Sequence, residues 1–189
     1  RSAGSAADGS VARSSPSVTS TPIGSRSDAA WSAKVAREAG RLVSLTLSDS
    51  FCVGRFRDEF RRLAKDEVDL LFANEAEILS LYETDVFDEA LQQIRKDCRF
   101  AALTRSEQGS VIVANGEVHV VDAEKVSKVV DTTGAGDLFA AGFLYGLTRG
   151  KDPVTCGRLG ALAAAEVISH YGPRPQVSLA ELAKAKGLA

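Results

Sequence analysis

The sequence predicts an α/β fold whose sheet is mostly parallel with an antiparallel hairpin added, and three observations predict it. Short apolar runs alternate with helical patterns of about ten to fifteen residues, the arrangement that builds parallel strands joined by helices. Asn115-Gly116 separates the apolar runs Val111–Ala114 and Val118–Val121, which is the strongest short-range hairpin signal. Finally, Asp131-Thr132-Thr133-Gly134-Ala135-Gly136-Asp137 feeds straight into the apolar helical run Leu138–Leu147.

Residues 1–27 hold nine Ser and only Val11, Val18 and Ile23 as large aliphatics. Such a segment buries too little apolar surface to offset its ordering entropy, so a disordered tail is expected over 1–27. A short strand near Ser17–Ile23 is the competing reading. The domain then occupies 28–189. Ser27 or Asp28 can cap a helix running to Ala39, with Trp31, Val35 and Ala39 on one face and Gly40 as its stop. Leu42–Leu47 reads as a strand, broken by Ser48-Asp49-Ser50. Arg55–Ala64 is an amphipathic helix with Phe56, Phe60 and Leu63 as its buried edge. Val68–Ala73 is a second strand, Asn74–Glu77 opens a helix, and Val86–Lys96 forms another before a third strand, Phe100–Thr104. Val129 and Val130 lead into the central motif. Helices near Ala135–Thr148, Pro153–His170 and Ser178–Lys186 complete the chain.

Composition narrows the function. The chain of 189 residues has net charge −2; its first 27 residues carry Arg1, Arg13, Arg26 and Asp8, so the mild acidity belongs to the remainder. Nothing here makes an electrostatic footprint for nucleic acid or a membrane surface. Three scattered cysteines, Cys52, Cys98 and Cys156, with two histidines and no Cys-x-x-Cys pair, argue for a reducing compartment and packing roles rather than zinc or disulfides. A cytoplasmic location is expected, since no apolar run reaches membrane-spanning length. The chain has no Met and begins with Arg1, so a fragment, a processed product or a mis-spliced reading is expected.

The central motif points to anion chemistry. Glycines let a bulky anion approach the backbone, and the first N–H groups of the following helix lack intrahelical partners. The helix dipole adds positive field there. Asp137 places a carboxylate beside that site, as suits a base removing a proton from a nucleophile that attacks the anion. Phosphoryl transfer follows as the expected chemistry. The bland rival is a tight strand-to-helix turn with Asp137 favouring the helix start. A dinucleotide fingerprint is disfavoured because Phe139 stands where a third glycine is needed, and no Walker-type lysine loop exists. Asn74 with Glu77 is by itself an ordinary capping arrangement. His119 reads as a surface residue, His170 as a partner for a helix C-terminus, and Arg61-Arg62 and Arg95-Lys96 as solvated helix faces.

Asp131 through Leu144 (DTTGAGDLFAAGFL) resembles, at every position, the C-terminal motif of the ribokinase-like (pfkB-type) carbohydrate and nucleoside kinases. Asn74-x-x-Glu77 is similar to that family's Asn-x-x-Glu element, and Thr104–Gly109 sits where the family has a Thr-x-Gly-x-x-Gly loop. The likeness runs from about Val43 to Gln176, and TLSDSF and VDLLFANEAEI look closer to adenosine kinases. The resemblance implies a ribokinase-like Rossmannoid sheet with helices on both faces, here without the family's N-terminal part. It implies ATP-dependent phosphorylation of a hydroxyl on a nucleoside or sugar, adenosine first, with another sugar or an inactive nucleotide-binding remnant as alternatives. Asp137 would be the base, and Gly134, Ala135 and Gly136 the anion hole. Asn74, Glu77, Thr104, Ser106, Gly109, Gly136 and Ala161 would contact the nucleotide. Glu77 would hold Mg²⁺ through water, and Asp131 and Thr133 a monovalent cation such as K⁺. Ser106 replaces the family's usual glycine, and the early Gly-Gly motif and lid strands have no counterpart. The 189 residues alone are therefore expected to bind Mg-ATP weakly and to show no turnover.

Overall fold

The computed structural model describes residues 27–188. The expected tail over 1–27, with its competing strand at Ser17–Ile23, lies outside the described residues apart from Ser27, which opens the first helix. In chain order the elements are α1 (Ser27–Glu38), β1 (Ser44–Thr46), α2 (Ser50–Arg55), α3 (Arg57–Asp66), β2 (Leu70–Asn74), α4 (Glu75–Tyr82) and α5 (Phe87–Asp97). Then come β3 (Phe100–Thr104), β4 (Ser110–Ala114), β5 (Glu117–Val121), α6 (Ala135–Leu147), α7 (Pro153–Val167) and α8 (Leu179–Ala185).

One five-stranded sheet runs in the order β1-β2-β3-β4-β5. β1, β2 and β3 are parallel, while β3–β4 and β4–β5 are antiparallel. Asn115 and Gly116, at φ 50° and 84°, make the two-residue turn that the hairpin requires. Because successive strand side chains point to opposite faces, two cores form. Leu71, Ala73, Ala101, Leu103, Val111 and Val113 pack with α2–α5 on one face. Leu70, Phe72, Ala102 and Ile112 meet Phe139 and Phe143 of α6 and Cys156 of α7 on the other. Helices thus cover both faces. Each fully buried large side chain contributes about 1.5–3 kcal/mol.

That second core aims α6. The Phe72 and Phe143 rings meet edge to face, with centroids 5.6 Å apart and planes at 87°. Gly142 lies so close to Leu159 and Gly160 of α7 that a side chain would strike backbone. The N-terminus of α6 is thereby fixed over the carboxyl ends of β2 and β3.

Two local expectations differ from the structure. The helix expected from Arg55 to Ala64 is α3, which begins at Arg57, and an unexpected helix, α2, precedes it across a break at Phe56 (φ −123°, ψ 31°). Asp49 caps α2, accepting from Cys52 N–H at 2.9 Å. Phe56 is 37% exposed, so the buried edge of α3 is Leu63 with Phe60 partly covered. On α1, Trp31 and Val35 do share a face, but it is exposed at 66% and 44%; Ala33 is the residue that packs.

Candidate active site

A cleft of about 440 Å³ opens at the carboxyl edge of the parallel strands. Thr46 and Ser48 reach it from the end of β1, Asn74 and Glu77 from the β2–α4 junction, and Thr104 from the end of β3. Thr132 and Gly134–Asp137 form the wall opposite. Open parallel sheets place ligands at this edge for a topological reason, since strand ends and helix N-termini converge there.

The α6 wall is built by Gly134. It adopts the left-handed conformation (φ 82°, ψ 0°) as the helix N-cap, and a Cβ there would lie 2.7 Å from Pro173 Cβ. Ala135 N–H closes the turn on Thr132 O at 3.1 Å, and Leu138 N–H bonds Gly134 O at 2.9 Å. Between them, the N–H groups of Gly136 and Asp137 have no partner among the described residues. A Cβ added to Gly136 would meet nothing within 4 Å, so no packing among the described residues explains that glycine. The exposed Asp137 carboxylate likewise has no hydrogen bond or ion pair to a described residue. Two unpartnered N–H donors, free space and an unpartnered carboxylate thus stand together at the start of α6, where the helix dipole favours negative charge.

The facing element is chemically closed. Asn74 Oδ1 accepts from Glu77 N–H at 2.9 Å, Asn74 Nδ2 donates to Glu77 Oε1 at 2.7 Å, and Asn74 N–H donates to Glu77 Oε2 at 3.0 Å. This is a capping box at the start of α4. Burial pushes the Glu77 carboxyl above its ordinary value, the Asn74 N–H pulls it back, and the nearby Asp49 charge raises it further. Among the described residues no cluster of three or more His, Cys, Asp or Glu is placed to hold a metal.

Other expected site residues stand apart from this cleft. Ser106 lies in a single 3₁₀ turn (Ser106–Gln108) and keeps φ 51°, the conformation a glycine would adopt freely. Gly109 (φ 83°) is pressed against the backbone of Val121–Ala123, so its lack of a side chain already has a packing reason. Ala161 packs into the core between α7 and the sheet. Asp131 ties loops together: Oδ1 accepts from Thr133 N–H at 2.9 Å and Oδ2 from Gly172 N–H at 3.0 Å. The Thr133 side chain, its backbone and Gly172 hold the Asp131 carboxyl below the usual range. Conversely, Thr46 and Ser48 line the cleft, although the stretch that contains them, TLSDSF, stands out only for its likeness to adenosine kinases and neither is among the expected site residues. Ser48 sits at φ 67°, a strained value for a residue with a side chain, and only the pairing of β1 beside β2 brings it there.

The fold and site define an open α/β protein with a helix N-terminus lining a cleft at the carboxyl edge of its parallel strands. The particular family follows from comparison: the model of the pfkB family carbohydrate kinases matches residues 13–179, and the chain belongs to that family. It is similar to a probable sugar kinase from Rhizobium etli CFN 42, with 55% identity and a TM-score of 0.81 over 83% of this chain and 48% of that one. It is also similar to the adenosine kinase from Sinorhizobium meliloti, with 51% identity and a TM-score of 0.81 over 84% and 49%. Arabidopsis thaliana ribokinase, complexed with ribose and ATP, matches at 26% identity and a TM-score of 0.66 over 78% and 48%. The chain spans less than half the length of the curated relatives it matches.

Proposed function

We propose that this chain forms the nucleotide-binding and phosphoryl-transfer part of an ATP-dependent kinase whose acceptor is a hydroxyl of a nucleoside or sugar, adenosine first among them. The observation that carries the reading is the pairing of unpartnered N–H groups at Gly136 and Asp137 with the unpartnered Asp137 carboxylate on one cleft. Asp137 accepts the proton of the acceptor hydroxyl while the hydroxyl oxygen forms the new bond to phosphorus and the bond from phosphorus to the leaving nucleoside diphosphate breaks. The Gly136 and Asp137 N–H groups, with the α6 dipole behind them, stabilise charge on the transferred phosphoryl oxygens. Asn74, Glu77 and Thr104 face that position from the other wall. When bound, Mg²⁺ neutralises phosphate charge; with both Glu77 oxygens engaged by Asn74, phosphates and water would supply most of its ligands, Glu77 acting through water. Each Asp131 oxygen keeps lone pairs for a monovalent cation beside Thr133. The choice of adenosine rests on the Sinorhizobium meliloti relative.

A general base of this type contributes roughly 10²–10⁴-fold, so in the protein that carries this chain Asp137→Asn should lower turnover by about 10²-fold or more. Mg-ATP affinity should stay within a few-fold, because the N–H donors remain. A coupled assay beside calorimetry decides it. Retention of more than a tenth of the parent turnover would remove Asp137 from the role of base.

A further inference from the structure

The turn carrying Gly134–Asp137 is seated on the segment that follows α7. Val130 N–H donates to Ile168 O at 2.8 Å, Gly172 N–H donates to Asp131 Oδ2 at 3.0 Å, and Pro173 abuts Gly134. That seat, Ile168–Gln176, contains neither helix nor strand, so its shape depends on what tethers it. Glu166, in the last turn of α7, tethers it at two points, His170 and Gln176. Its Oε1 accepts from Gln176 N–H at 2.8 Å and lies 3.2 Å from His170 Nε2. The Glu166 side chain is only 7% exposed, and its Oε2 is buried with no partner.

A buried carboxylate with one oxygen unsatisfied is unfavourable unless it holds something that matters. The end of α7 itself does not need it: Ile168 N–H already bonds Ala164 O, and the helix packs through Leu162, Ala163 and Val167. We propose that Glu166 is a positioning residue for the anion site. It fixes Ile168–Gln176, that segment fixes Asp131–Gly134, and the turn sets the direction of the Gly136 and Asp137 N–H groups. Its consequence for ligand binding rests on the phosphate-binding reading of that site, whereas the linkage between the two segments does not.

Amide hydrogen exchange over Val130–Leu138, together with calorimetric titration with Mg-ATP, tests this on the protein and on Glu166→Ala, Glu166→Gln and His170→Ala. Glu166→Ala should raise exchange in that stretch and weaken Mg-ATP by about tenfold each, the scale of one hydrogen bond to a charged group. Peptides from β2 and β4 should exchange as in the parent, which separates loosening of the turn from general instability. Glu166→Gln retains an oxygen for Gln176 N–H and should stay within about threefold of the parent on both measures. Unchanged exchange in a folded Glu166→Ala protein overturns the proposal, as does a Glu166→Gln protein as loosened as the alanine variant. Should Glu166→Ala fail to fold, His170→Ala must loosen the turn and Glu166→Gln must not. A parent protein that binds no Mg-ATP would defeat the phosphate reading while the exchange data still judge the tether.

Discussion

The two walls of the cleft carry polar groups in opposite states. At Asn74–Glu77 the side-chain amide, both carboxylate oxygens and two backbone N–H groups are all engaged with one another. At Gly134–Asp137, two backbone N–H groups and a carboxylate are engaged with nothing described, beside a glycine whose missing side chain leaves empty space. Folding alone accounts for the first wall, because a helix start needs its N–H groups satisfied. The second wall is open to solvent or to a ligand, since exposed N–H groups at a helix start can bond either. Under the phosphate reading, donors left free around a glycine that no packing requires mark the ligand's place more sharply than a motif whose every atom has an internal partner.

Gly134 offers the largest break in that comparison, since on the open wall it is the glycine that folding does require. Gly134→Ala must hold an alanine at φ 82° and bring its Cβ to 2.7 Å from Pro173. The left-handed backbone costs about 1–2 kcal/mol and the overlap about 1–3 kcal/mol, so a loss near 3 kcal/mol is expected in urea unfolding. A loss under about 1 kcal/mol would mean that the turn relaxes away from Pro173 easily.

How far the sequence revealed this site depends on how local each signal is. The β3 run Phe100–Thr104, the Asn115-Gly116 turn and the Asn74–Glu77 cap were legible because each is decided within a few residues. Helix α2 was not: it has six residues, includes Gly54, and leaves Phe51 78% exposed, so no apolar stripe announces it. Ser48 and Thr46 enter the cleft only through the pairing of β1 with β2 and a left-handed serine, neither of which leaves a mark in the sequence. Trp31 misled in the opposite direction, since apolar spacing on α1 says which residues share a face but not whether that face is covered.

The closed wall makes a smaller prediction about pH. Burial raises the Glu77 carboxyl above 4.5 in the folded state, so the folded protein holds that proton more tightly than the unfolded chain. The resulting stability is present below the unfolded value and is lost as pH rises through the folded one. Glu77→Gln keeps an oxygen for Asn74 N–H but cannot ionise. Its melting temperature in metal-free buffer should therefore gain on that of the parent between about pH 4 and pH 7. A difference that stays flat across that range would show that Glu77 ionises without penalty.

Gly136 gives the smallest effect on stability and the most telling one, because its two consequences carry opposite signs. It lies in the first turn of α6 at an ordinary helical φ, and an added Cβ would touch nothing within 4 Å. Alanine is favoured over glycine by up to about 1 kcal/mol inside a helix, and less in a first turn, so Gly136→Ala should stabilise the fold by roughly 0.5 kcal/mol. The same methyl group would stand where a phosphate must approach the Gly136 and Asp137 N–H groups, so Mg-ATP should bind several-fold more weakly, and Gly136→Val more weakly still. Urea unfolding and calorimetry on one preparation read both signs. Raised stability with unchanged Mg-ATP affinity would mean that no phosphate comes near this turn, and the open wall would then owe its unpaired groups to solvent exposure alone.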